Sequence, residues 1–119
     1  MILEKSIVEN LTSIYSNEGI ERGGFLTKNE LIEVENDHPN KIEGFSFKIE
    51  DLERLEDEEV VATFHTHPNG KSNLSKEDCV AFKNWSNLLH FIVGKDGISC
   101  YKVTDRNTIV IEDIDVCKN

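Results

Sequence analysis

The chain has 119 residues and a formal net charge of −10, with 38% apolar and 30% charged residues. That length suits one domain of ordinary size and leaves no room for a second core. The acidic balance argues against a nucleic-acid partner, which needs Lys/Arg patches, and no apolar run approaches the ~20 residues of a membrane span.

The opening Met1-Ile2-Leu3-Glu4-Lys5 mixes charge into the first turn, unlike a signal peptide, so a cytoplasmic location is expected. Ile2, Leu3, Ile7, Val8, Leu11, Ile14 and Tyr15 recur at helical spacing and predict an amphipathic helix over 2–16, ended by Asn17-Glu18-Gly19. Residues 23–27 and 31–34 read as two strands joined by the short loop Lys28-Asn29-Glu30. Asn36 to Asn40, with Pro39, reads as a loop that exposes His38. Phe45, Phe47 and Ile49 alternate with polar residues and predict a strand. Ile49 to Glu56 reads as a short acidic helix with Leu52 and Leu55 inward.

Val60-Val61-Ala62-Thr63-Phe64 is a nearly continuous apolar run, as a central strand requires. It delivers His65 and His67 at its end, and Pro68-Asn69-Gly70 turns the chain. A helix is expected from Ser75 to about Trp85, then strands over 88–93, 98–103 and 108–114. His90 reads as a hydrogen-bonded strand histidine, and Phe82, Trp85 and Phe91 as core. Cys79, Cys100 and Cys117 form no CxxC pair and read as free thiols, Cys79 as a core-facing residue, with a Cys79–Cys100 bridge left open. The fold class is therefore a single mixed α/β (α+β) domain over residues 1–119, without repeats or linkers.

His65-Thr66-His67-Pro68 is followed by Ser75-Lys76-Glu77-Asp78, giving H-x-H-x7-S-x-x-D unbroken. Residues two apart on a strand share a face, so His65 and His67 point together while Thr66 faces the other way. Ser75-x-x-Asp78 alone resembles a helix capping box. Two imidazoles and one carboxylate, with a fourth position open, form a donor set suited to catalytic zinc. Glu77 should point away as solvated surface.

The complete pattern resembles the JAMM family (also JAB or MPN+) of zinc metallopeptidases, which cleave peptide or isopeptide bonds. Glu21-Arg22-Gly23-Gly24-Phe25-Leu26 is similar to the E-x-x-G-(F/L)-L opening of prokaryotic and phage-type members. The resemblance implies a curved mixed sheet flanked by helices, of the JAB/MPN or cytidine-deaminase-like kind. It also implies Zn2+ held by His65, His67 and Asp78, with Glu21 as general base and Ser75 donating to the oxyanion. The implied substrate is the C-terminal tail of a ubiquitin-like, sulfur-carrier or phage tail protein. A groove for that tail is expected between the Glu21–Val34 hairpin and the Pro68–Leu74 loop. The ending Val116-Cys117-Lys118-Asn119 has no diglycine, so the chain does not read as a modifier itself. Two other readings are a non-catalytic JAMM-fold tail-assembly or scaffold protein and a relative of the RadC proteins, whose H-x-H-P-x-G…S-x-E-D segment is similar. The acidic balance and the Glu21 opening count against the latter.

Overall fold

A computed structural model describes residues 2–55 and 57–117. The chain opens with a short strand, β1 (Ile2–Glu4), which pairs in parallel with the last strand, β8 (Asp115–Cys117), through Ile2↔Asp115 and Leu3↔Val116. The helix expected from residue 2 therefore begins only at Lys5, as α1 (Lys5–Ile14). Its apolar spacing is real, because Ile7, Leu11 and Ile14 are buried together. Leu3 is buried as part of β1, where a main-chain ladder competes successfully with one more helical turn.

The main sheet has six strands in the order β3-β2-β4-β5-β6-β7. These are β2 (Gly23–Thr27), β3 (Leu31–Val34), β4 (Val60–Thr66), β5 (Leu89–Gly94), β6 (Gly97–Val103) and β7 (Ile109–Glu112). All neighbours run antiparallel except β4 and β5, which are parallel. A parallel pair needs a crossover, and the helix α3 (Lys76–Asn84) supplies it. The strand expected over 108–114 is the shorter β7, and β8 follows it beyond residue 114 as a strand the sequence did not predict.

Two faces of the sheet build two cores. Ala62 and Phe64 of β4, with Phe91 and Val93 of β5, pack with Ile7, Leu11 and Ile14 of α1. The alternate residues Thr63, His65, His90 and Ile92 point to the face covered by α3, where Ile92, Tyr101 and Val103 meet Phe82. Among the described residues no helix is long and apolar enough to cross a membrane.

The strand expected at Phe45–Ile49 does not form. Residues 44–48 are irregular, with Asp37 N–H donating to the Ser46 carbonyl at 2.8 Å. The alternation reflects ring placement and not a ladder: Phe47 meets Phe25 edge-on at 4.8 Å, and Phe45 stacks near His65 at 6.2 Å. The short helix α2 (Ile49–Arg54) follows. Its buried residue is Asp51, while Leu52 and Leu55 are only half-buried; Glu56 lies outside the described residues. Asp51 forms an ion pair with Arg54 and accepts from Lys48 N–H, which makes its burial tolerable.

Cys79 and Cys100 are free, which removes the bridge left open by the sequence. Cys79 is half-buried, and the core-facing apolar residue of α3 is Phe82. Burial pushes the Cys100 thiol up to about 11, so it is an inert packing residue. The Cys117 side chain lies outside the described residues.

Candidate metal centre

β4 ends on the α3 side of the sheet with His65, which is 6% exposed. The chain then leaves the ladder, but His67 N–H still donates to the Val93 carbonyl at 2.9 Å. That bond keeps His67 beside β5 and on the same face as His65. Asp78 arrives from the first turn of α3. Ser75 caps this helix: Asp78 N–H donates to Ser75 Oγ, and Ser75 N–H donates to Asp78 Oδ2, both at 3.0 Å. The capping box therefore fixes the Asp78 side chain as well as the helix start.

Four donor atoms from three residues converge. His65 Nε2 lies 3.1 Å from His67 Nε2. Asp78 Oδ1 is 3.0 Å from His65 Nε2, and Oδ2 is 3.2 Å from His67 Nε2. A tetrahedral site with donors ~2.0–2.1 Å from its centre has edges of ~3.3 Å, close to these separations. The tautomer of His67 fits as well. Its Nδ1 faces the Lys71 carbonyl at 2.9 Å, which can only accept, so the neutral ring carries its proton there and leaves the Nε2 lone pair inward. Two imidazole nitrogens and a carboxylate at such distances are held together by shared protons or by a cation.

The ionisation preferences have the same origin. Burial opposes a charged Asp78, but hydrogen bonds from His65 and His67 and from the Ser75 N–H hold it well below the usual carboxylate range. Burial likewise opposes a charged His67, yet Asp78 and the Lys71 carbonyl raise it. Protons on the imidazoles and a metal ion are alternative sources of positive charge here, and the donor set fits a zinc ion.

Glu21 is 5% exposed, and its carboxylate with the His65 and His67 nitrogens lies within 4.8 Å of one another. That leaves room for one water between them. Burial pushes its carboxyl above the usual value, against the pull of the two imidazoles. The placement comes from register: Gly23 pairs with His65, and the same antiparallel sense carries Glu21 toward His67. Thr66, facing away as expected, completes the link. Its Oγ1 accepts from Arg22 N–H at 2.9 Å, and its own N–H donates to the Arg22 carbonyl at 2.7 Å. Gly23 is required at this point, because a Cβ there would lie 2.5 Å from the Phe64 carbonyl and 2.8 Å from the Phe45 ring.

Several positioning residues carried no signal in the sequence. Asn36 is buried, and its amide donates to the carbonyls of Glu21 and Gly44 at 2.9 Å while its Oδ1 accepts from His38 N–H at 3.0 Å. It ties residues 36–46 to the backbone of Glu21. His38 is half-buried, not exposed, and its Nε2 hydrogen-bonds Glu77, which is surface-exposed but not merely solvated. The Asn40 N–H donates to His38 Nδ1, so Nε2 carries the proton given to Glu77. The 68–74 loop is held from below. Tyr101 Oη donates to the Ser72 carbonyl at 2.7 Å, and Ser72 N–H donates to Asp96 at 2.8 Å.

An open cleft beside the donor atoms is lined by Glu21, Glu43, His67, Lys71, Leu74 and Ser75. The expected 68–74 wall is present. From the expected hairpin wall only Glu21 lines the cleft, and Glu43 lines it as well. Ser75 is exposed to this cleft; its oxygen accepts the capping bond while its hydroxyl proton stays available for donation.

No family model and no curated protein matches the chain. Solved structures do. A protein of Desulfitobacterium hafniense matches with a TM-score of 0.74 at 18% identity, over 100% of this chain and 94% of that one. A protein of Salinibacter ruber matches at 0.61 and 15% identity, over 99% and 92%. The JAB1/MPN domain protein of Archaeoglobus fulgidus matches at 0.58 and 22% identity, over 99% and 100%. At these identities the likeness concerns the fold, which is of the JAB1/MPN kind. Glu21, His65 and His67 form a group compatible with a metal ion within that fold.

Proposed function

We propose that this protein is a zinc-dependent peptidase or isopeptidase of the JAMM type. The observation that carries the reading is the triangle of His65 Nε2, His67 Nε2 and an Asp78 carboxylate, with separations of 3.0–3.2 Å and the buried Glu21 beside it. A bound zinc ion would supply Lewis acidity for water and for the scissile carbonyl. Glu21 takes the proton from the attacking water and returns it to the leaving amine; its raised affinity for a proton suits that shuttle. Ser75 donates its hydroxyl to the oxygen on which negative charge develops. Asn36 and Thr66 hold Glu21 in register with the histidines.

The substrate class proposed is an extended C-terminal tail joined to an amine, with the scissile bond at the metal centre and the leaving amine toward the cleft lined by Glu21, Glu43 and Lys71. The test presents tails of ubiquitin-like, sulfur-carrier and phage tail proteins, each joined to an amine leaving group. Zinc-loaded protein should release the amine, chelator should stop it, and added zinc should restore it. Failure to cleave any of them, together with tight binding of one, would favour a non-catalytic scaffold role.

A further inference from the structure

A second cavity of about 290 Å³ adjoins the metal centre between the 43–49 segment and α3. His65 and Asp78 border it, whereas Glu21, His67 and Ser75 border the open cleft. Its apolar walls include Phe45, Phe47, Ile49, Ala81, Phe82 and Trp85, and Glu43, Ser46, Glu77 and Asn84 contribute polar lining. Apart from His65, Thr63 and His90 are the polar groups of the inner sheet face, and their polar atoms are already used. His90 Nδ1 accepts from Thr63 Oγ1 at 2.7 Å, and Nε2–H donates to the Trp85 carbonyl at 3.0 Å. Phe82 stacks on the His90 ring at 4.1 Å. Burial keeps His90 neutral by lowering its pKa to about 4. Apart from His65, the sheet face therefore offers no unspent donor and no charge.

The volume falls just under the ~300–1,000 Å³ of small-molecule pockets, which is room for one large side chain. The direction of the chain follows from proton delivery. Glu21 protonates the leaving amine, so the amine lies on the Glu21 side and the acyl portion lies toward His65 and this cavity. We infer that the cavity receives a large apolar side chain, aromatic or long aliphatic, belonging to the acyl portion of the substrate next to the scissile bond. A tail ending in small residues would leave it empty. This inference rests on the peptidase reading for its orientation, but the binding it predicts can be measured without turnover.

Trp85 is the one tryptophan of the chain and lines the cavity, so its emission reports occupancy. The probes are acetylated tetrapeptides with free C-termini, identical except for a last residue of Phe, Leu, Gly or Lys. They are titrated into chelator-treated and zinc-loaded full-length protein. Phe- and Leu-ending peptides should bind at least about tenfold tighter than the Gly-ending one, as burial of a large apolar side chain implies, with a saturable shift in Trp85 emission. Ala81→Phe, at an exposed helix position that narrows the cavity, should abolish the ranking. Amine-linked versions of the same peptides should follow the same order in kcat/KM. Equal binding of Phe- and Gly-ending peptides overturns the inference. So does tightest binding of the Lys-ending peptide, which would assign the cavity to a cation at the Glu43 and Glu77 rim. Ranked binding with no cleavage upholds the cavity and removes the peptidase reading; cleavage without ranking does the reverse.

Discussion

The two sides of the metal centre are assembled over very different distances in the chain. His65, His67, Ser75 and Asp78 lie within one short stretch, and local rules place them: strand alternation aims His65, and a capping box aims Asp78. Glu21 stands beyond the start of β2 and depends on partners remote in sequence, namely Thr66, Asn36 and the Lys41 carbonyl, which accepts its N–H at 2.7 Å. The difference teaches that the ligands and the base can fail separately. A change near His65 should remove the metal, while a change near Asn36 should misplace the base and leave the metal in place.

The largest expected effect is on the ligand side. His65→Ala with His67→Ala should reduce bound zinc from about one per chain to a trace by metal analysis, with cleavage lost altogether. Unchanged zinc in that double variant would place the metal elsewhere. Glu21→Gln should keep the zinc and the fold but slow cleavage on the order of 10²–10⁴-fold, the usual contribution of a general base. Zinc lost along with activity would make Glu21 a ligand and erase the contrast between the two sides.

Two smaller effects sharpen the comparison through stability. His90 supports the ligand side, beneath Phe82 and Thr63. Its pKa in the fold, about 4, is below the ordinary imidazole value of 6.5, so folding favours the neutral ring. That stabilisation is complete above pH 6.5 and is lost as pH falls toward 4. It amounts to something on the order of 3 kcal/mol between those limits. His90→Gln should flatten the fall in denaturation free energy over that window; an unchanged slope would show that other groups cause it. Asn36→Ala acts on the base side. Losing a buried amide that bonds three segments should cost about 1–3 kcal/mol by chemical denaturation, and cleavage should drop while zinc content holds. Equal loss of zinc and rate would mean the two sides are one cooperative unit.

Much of the fold was legible because its signals are local. The apolar run of β4, the helix opened by Ser75 and the spacing of Ile7, Leu11 and Ile14 each report a single element. The failures have one cause, competition from distant backbone. Ile2–Glu4 carries helical spacing but pairs with a strand more than 100 residues away. Phe45 and Phe47 alternate as in a strand, yet they join no ladder, and the rings fill space beside His65 and Phe25 instead. His38 looked like an ordinary loop histidine because nothing local reveals that Glu77 will stand opposite.

The sequence by itself determined the donor set and its approximate grouping. Imidazole and carboxylate chemistry is intrinsic to the residue types, and strand and helix periodicity fix directions over a few residues. It also determined that strands and helices share one domain, since apolar strand runs and helical spacing follow one another along the chain without a linker. Only the tertiary structure decided that Glu21 stands within 4.8 Å of His65 and His67, because the β2–β4 register is a long-range pairing. It alone decided that Asn36 and Thr66 hold that register, and that Phe45, Phe82 and Trp85 enclose a cavity against His65. Side-chain chemistry is written residue by residue, whereas enclosure and register arise only when segments far apart in the chain share one surface.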